Sequence, residues 1–129
     1  MRLFAAVLLP QNLRESLHTI LKDMHRDGME GNFSREENLH LTLAFLGETQ
    51  RVEAAKSAMN RVIFEPFSLW LEGYGSFSQG RGEKLLFARI GAEEGLFRLQ
   101  RALCRSLRES GFSLEERPFR PHLTLARRM

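Results

Sequence analysis

Cysteine is almost missing from this chain. Cys104 stands alone among 129 residues, so no disulfide can form within it, and a reducing compartment suits it. Lysine is scarce as well, at three residues against sixteen arginines. Long apolar runs are absent. The opening stretch holds seven consecutive apolar residues, Leu3 to Leu9, before Pro10 stops it. A membrane span needs roughly 18, and no small-residue cleavage site follows, so the stretch reads as a buried strand rather than a signal peptide. Neither paired cysteines nor a His-Glu-x-x-His string occurs, so no metal-ligand spacing is offered and no cofactor is called for. These absences exclude a disulfide-stapled secreted domain and a helical membrane protein. The reading is a cytoplasmic protein of one domain, residues 1–129, with an ordinary 43% hydrophobic and 27% charged composition.

The net charge is only +3. The preference for arginine leans toward a phosphate-bearing partner, because its planar fork of donors matches phosphate oxygens; an arginine-rich codon usage explains the bias equally well. Leu13, Leu17, Ile20, Leu21 and Met24 lie at helical spacing and predict an amphipathic helix closed by Asp27-Gly28. Thr49 is positioned to cap a shorter helix carrying Val52, Ala55, Met59 and Val62. Phe67 to Tyr74 and Lys84 to Ile90 read as strands. The glycine-rich stretch Gly73–Gly82 between them reads as a long hairpin loop. It is not a phosphate loop, since Arg81 follows Gly80 and a strand comes next. Leu96, Leu99, Leu103 and Leu107 form the apolar stripe of a third helix, ended by Gly111. Arg98, Arg101, Arg105 and Arg108 line its other side and read as a solvated face, Cys104 as inert packing, and His18 and His25 as surface residues.

One pattern organises the rest. Leu39-His40-Leu41-Thr42-Leu43-Ala44-Phe45-Leu46 alternates with the period of a strand, placing Leu39, Leu41, Leu43 and Phe45 on a core face and His40 and Thr42 on the other, roughly 7 Å apart. Nearly the same string, Pro121-His122-Leu123-Thr124-Leu125-Ala126-Arg127, returns at the end. Leu3-Phe4-Ala5-Ala6-Val7 also resembles Leu86-Phe87-Ala88-Arg89-Ile90. Phe4 precedes His40 by 36 positions and Phe87 precedes His122 by 35. The chain therefore reads as a duplicated strand-helix-strand unit, about 2–47 and 84–127, each copy delivering one histidine and one threonine. Packed about a pseudo-two-fold axis, the copies would bring the two motif strands to one cleft.

Two imidazoles facing one cleft make a general acid–base pair, because a free histidine titrates near pH 6.5. Phosphodiester cleavage uses that arrangement. One group takes a proton from the attacking oxygen and the other gives one to the leaving oxygen, each transfer typically worth about 10²–10⁴ in rate. Threonine hydroxyls beside them can donate to the non-bridging oxygens. A lone His-x-Thr in a strand is ordinarily structural; two at matched spacing are not.

Asn38-Leu39-His40-Leu41-Thr42-Leu43-Ala44-Phe45-Leu46-Gly47 and Phe119-Arg120-Pro121-His122-Leu123-Thr124-Leu125-Ala126-Arg127 resemble the paired His-x-Thr motifs of the two-histidine phosphoesterase superfamily. Within it, they are most similar to the RNA 2′,3′-cyclic phosphodiesterases, formerly called 2′-5′ RNA ligases. The resemblance implies a two-lobed α+β fold, with antiparallel sheets lining a central cleft and helices outside. It implies metal-independent hydrolysis of RNA 2′,3′-cyclic phosphate ends to 2′-phosphate, with RNA ends or cyclic nucleotides as partners. His40 becomes the general acid and His122 the general base, although the near-symmetry of the motifs allows the reverse. Thr42, Thr124 and Arg127 become phosphate-binding residues. Simple alternation turns Arg127 away from His122 and Thr124, so its role needs a bulge or a strand end. Phe45, at the matching place in the first motif, reads as core, with a place lining the base site as the alternative. Family members run several dozen residues beyond the second motif, whereas this chain stops at Met129. The last strand is thus expected to be a sheet edge open to self-association of an otherwise monomeric protein. Two other readings compete: a non-catalytic RNA or nucleotide-binding module, and a relative that acts on 2′-5′-linked oligonucleotides or ligates RNA ends.

Overall fold

The computed structural model describes Met1–Met129, apart from the side chain of Glu36. The elements run β1 (Arg2–Leu8), α1 (Gln11–Arg26), β2 (Asn32–Phe33), a 3₁₀ turn (Glu36–Asn38), β3 (His40–Glu48), α2 (Val52–Asn60), β4 (Leu69–Gly80), β5 (Glu83–Ala92), α3 (Glu94–Glu109) and β6 (His122–Arg127). This is a mixed α+β chain. β1 and β3 form a two-stranded sheet, and a second sheet has the order β2-β6-β5-β4. The strand-helix-strand succession read twice in the sequence is present as β1-α1-β3 and β5-α3-β6, with β2 and the 3₁₀ turn inserted in the first. The chain divides into two compact units that cut across these copies: Met1–Ala6, Thr42–Trp70 and Gly91–Arg120 form one, and Val7–Leu41, Leu71–Ile90 and Pro121–Met129 the other.

The first unit is built on α3. Leu96, Leu99, Leu103 and Leu107 are all buried, as their spacing predicts. Glu94 in the first turn and Arg108 in the last suit the helix dipole. The helix ends in a Schellman closure. Gly111, at φ +93°, lets its N–H reach the Arg108 carbonyl while the Phe112 N–H reaches that of Leu107. α2 lies along α3, where Ala55 and Ala58 allow close approach, and the buried Ser106 hydroxyl donates to the Ala58 carbonyl at 2.7 Å. Cys104 is buried beside the stripe, and that burial pushes its thiol up from the ordinary range. Arg101 pairs with Glu94 at 3.0 Å and Arg108 donates to the Glu115 carbonyl, so part of the arginine stripe is engaged along the helix surface. Thr49 does not cap α2. Arg51 holds the N-cap position, and the Thr49 hydroxyl accepts the Arg51 N–H instead. Val62 falls beyond the helix, which ends at Asn60.

The second unit holds α1 and the body of the four-stranded sheet. Pro10, which ends β1, is also the N-cap of α1, so the helix begins earlier than its apolar stripe. Leu17 and Leu21 are its buried residues, and Gly28, at φ +92°, closes it as Gly111 closes α3. His25 is exposed, with its ring edge-on to Phe33, whereas His18 is half-buried rather than a plain surface residue.

Two expectations about this sheet are corrected. The stretch Gly73–Gly82 is not a long loop. β4 runs through Gly80, and the connection to β5 is the two residues Arg81 and Gly82. Both have positive φ, 55° and 75°, as does Gly80 before them at 84°. β6, in turn, is not an edge. It pairs antiparallel with β5 on one side and with β2 on the other, at Asn32↔Arg127 and Phe33↔Ala126. Ser34 extends that cover, its N–H donating to the Leu125 carbonyl and its hydroxyl to the Thr124 carbonyl, both at 2.8 Å. A two-residue strand carries too little pattern to be read from sequence, so its shielding of β6 went unforeseen. From Thr124 to Arg127, β6 is therefore covered on the side away from β5.

Candidate active site

β6 sets one half of the candidate site. Its register against β5 is Arg89↔His122, Ala88↔Leu123 and Phe87↔Thr124, but the next pair is Leu86↔Ala126. Leu125 is therefore an extra residue, and the strand carries a β-bulge there. Burial follows the bulge. Leu123 is buried and Thr124 half-buried, then Leu125 and Ala126 are both buried, and Arg127 is exposed. The extra residue resets the alternation, so Arg127 returns to the face of His122 and Thr124. This is the geometry that simple alternation denied it.

The first motif repeats the pattern. On β3, Leu41 is buried, Thr42 half-buried, Leu43 and Ala44 both buried, and Phe45 exposed. Phe45 is thus not core. It is 73% exposed, with its ring 6.3 Å from that of Phe4. The physical reason is that two consecutive residues, Leu43 and Ala44, are buried, which shifts the residue after them off the core face. The Gln100 amide, donating to the Leu43 carbonyl at 3.3 Å, ties this part of β3 to α3. His40 and His122 both belong to the second unit, with Thr124 and Arg127; Thr42 begins a segment of the first.

Three residues that sequence reading passed over share the face of His122. Cross-strand partners lie side by side on one face, so Arg89 stands opposite His122 and Phe87 opposite Thr124. The Phe87 ring meets the His122 ring edge-on, at 5.7 Å and 74°. The Arg89 guanidinium lies 5.6 Å over the Phe87 ring and donates to the Tyr74 carbonyl at 3.0 Å. Phe77, on β4, stacks on Phe87 at 4.6 Å and 20°. With Arg127 and Arg89 on this face, its field favours an anion. Gly73 and Gly75 alternate on β4 opposite Arg89 and Phe87, as expected where one strand's bulk lies over its neighbour's backbone, but no single strand shows which neighbour fills that space.

Gly75 is required by that packing. A Cβ there would lie 2.5 Å from Phe87 Cζ and 3.0 Å from an Arg89 guanidinium nitrogen. Gly75→Ala is expected to displace the Phe87 ring and to cost about 1–3 kcal/mol, as overpacking does. Thermal unfolding of the variant beside the parent measures it.

Among the described residues no group of three or more His, Cys, Asp or Glu is arranged to hold a metal ion, and no helix is long and apolar enough to cross a membrane. The comparisons with known proteins agree with one another. A family model described as the 2′-5′ RNA ligase superfamily matches residues 10–129. The RNA 2′,3′-cyclic phosphodiesterase of Archaeoglobus fulgidus is 34% identical over 130 residues, covering 98% of this chain and 72% of that protein. The enzyme of the same name from Thermotoga maritima is 32% identical, covering 98% and 70%. Among solved structures, a Thermus thermophilus protein superimposes with a TM-score of 0.84 at 32% identity, over 99% of this chain and 74% of that one. Escherichia coli LigT complexed with 3′-AMP gives 0.73 at 31% identity, over 98% and 72%. The chain belongs to the 2′-5′ RNA ligase superfamily.

Proposed function

We propose that this protein is an RNA 2′,3′-cyclic phosphodiesterase, which opens the cyclic phosphate at an RNA end to leave a 2′-phosphate. The observation that carries the reading is the recurrence of one arrangement, His-x-Thr on one strand face with two buried residues next and an exposed sixth, on both β3 and β6. The names of its relatives point to the same chemistry. LigT has been crystallised with 3′-AMP and with phosphate, which are a nucleotide and an anion of the kinds this site would hold.

In the proposed mechanism His122 takes a proton from water as the water oxygen attacks phosphorus. The P–O3′ bond breaks, and His40 gives its proton to the departing 3′-oxygen. The near-identity of the motifs also allows the two roles to be exchanged. Thr42 and Thr124 donate their hydroxyls to the non-bridging oxygens. The Arg127 fork, brought onto this face by the bulge, balances the charge that builds on them. No step calls for a metal. The partners are RNA ends or cyclic nucleotides, and the setting is the cytoplasm, which suits one buried cysteine. With β6 paired on both sides, we read the protein as a monomer.

The test is product analysis in EDTA. A 2′,3′-cyclic nucleotide is expected to yield only the 2′-phosphate, at a rate EDTA does not change. Salt-dependent RNA binding without turnover would replace this reading with a binding module. Cleavage or joining of 2′-5′ linkages, with no hydrolysis of the cyclic phosphate, would replace it with the other relative.

A further inference from the structure

We propose that the cavity between α1 and the β2 segment is a second anion site, one that takes a phosphate group. It goes beyond the reaction above and does not rest on it: none of His40, Thr42, His122, Thr124 and Arg127 lines this cavity. The cavity is open and holds about 600 Å³, room for a phosphate and part of what carries it. His18, Lys22, His25 and Arg26 line it from α1. They stand at i, i+4, i+7 and i+8, which is one face of a helix. Asn32 and Ser34 line it from the other side, and the buried Leu21 adds an apolar surface.

The charge of this lining has one sign. Among the described residues no carboxylate lines the cavity, and none pairs with Lys22. Arg26 is held by Asp23 through one nitrogen, at 2.6 Å, which leaves the other donors of its fork for a ligand. His18 is not tied down. Its Nδ1 is out of contact with solvent and has no hydrogen-bond partner, which is uncommon for a buried polar atom. A turn of that ring toward a ligand therefore breaks no hydrogen bond and gains one. A compact ammonium, a planar guanidinium and two imidazoles suit the several oxygens of a phosphate. A metal ion suits the set poorly, since no third His, Cys, Asp or Glu joins the two histidines among the described residues.

The far side of the cavity is the segment that covers β6. Asn32 and Phe33 pair with Arg127 and Ala126. The Ser34 hydroxyl donates to the Thr124 carbonyl and its N–H to the Leu125 carbonyl, both at 2.8 Å. An anion that bridges α1 to Asn32 braces this segment against the bulged strand. Occupancy is then felt at the Ser34 amide.

The experiment titrates the parent with inorganic phosphate and, separately, with a six-residue RNA ending in a 3′-hydroxyl, following amide signals by NMR. The amides of Lys22, His25 and Gly31 are expected to move. Lys22→Gln combined with Arg26→Gln is expected to weaken that response about tenfold, and both side chains are exposed, so the fold should persist. Arg98→Gln combined with Arg105→Gln removes the same charge from α3 and is expected to leave the response intact. If RNA moves the α1 amides at lower concentration than phosphate does, the ligand is the phosphate of an RNA chain; if phosphate alone moves them, it is the free anion. Hydrogen exchange at the Ser34 amide is expected to slow about tenfold at ten times the Kd, and to stop responding in the Lys22→Gln, Arg26→Gln protein. Unmoved α1 amides, an equal loss from the α3 pair, or Zn²⁺ shifting the His18 and His25 rings where phosphate does not would overturn the site. Absence of cyclic-phosphate hydrolysis in the parent would fail the phosphodiesterase reading and leave these titrations standing.

Discussion

Replacing His122 with alanine is expected to lower kcat for a 2′,3′-cyclic nucleotide by about 10²–10⁴, the range for loss of one general acid–base group, and His40→Ala is expected to do the same. In the proposed mechanism the two groups serve one displacement. Without the base the water is a poor nucleophile, and without the acid the 3′-oxygen leaves as an alkoxide. The double variant should therefore be little worse than either single one, as for residues that act as a unit. The parent should show a bell-shaped pH–rate profile. The variant lacking the base should lose the acid limb, and the variant lacking the acid should lose the alkaline limb, which assigns the two roles that the motifs leave symmetric. Near-parental activity in either variant sinks the mechanism. Circular dichroism guards against misfolding, which neither change should cause, because His122 is exposed and His40 half-buried.

The second large effect is expected at the bulge. Leu125 is fully buried and is the extra residue of β6. Leu125→Ala keeps the backbone bond from Ser34 to its carbonyl, so the pairing with β2 can persist. What is lost is the side chain, and with it a cavity opens behind the strand. The expected destabilisation is about 2–5 kcal/mol, the range for Leu→Ala in a core. Urea unfolding measures it, through a lower midpoint at an unchanged slope. Where the variant stays folded, phosphate affinity should fall as Arg127 loses its firm seat, because the bulge that aims Arg127 is packed by Leu125 itself. A loss under ~1 kcal/mol would mean that the bulge is held by its backbone bonds alone.

Much of this architecture is legible residue by residue, and the exceptions have causes. α1 and α3 announce themselves by leucines at helical spacing, and β3 and β6 by alternation and by their shared His-x-Thr string. The glycines of β4 misled because glycine usually marks a turn. Here Gly75 is small to admit Phe87 from the neighbouring strand, a fact no single strand displays. Phe45 misled because alternation was carried one step too far; Leu43 and Ala44 are buried in succession, and strict period two ends there. The same break at Leu125 and Ala126 was legible only as a requirement, through Arg127. Of the candidate site, the motif residues were readable because they recur. Arg89, Phe77 and Phe87 were not, because their place beside His122 depends on cross-strand register.

β6 also sets the tempo at which the site can come into being. It joins β2 to β5 in the four-stranded sheet, and its bond with Ser34 spans 90 residues of chain. Closing so long a loop is entropically costly before any pairing rewards it, and folding slows with such sequence-distant pairing. The helices and the β4–β5 hairpin, by contrast, need only neighbouring residues. The chain should thus collect its local elements early and dock β6 late, so that Thr124 and Arg127 take their positions only in the closing step of folding. A refolding experiment followed by nucleotide binding should then lag behind one followed by helix content.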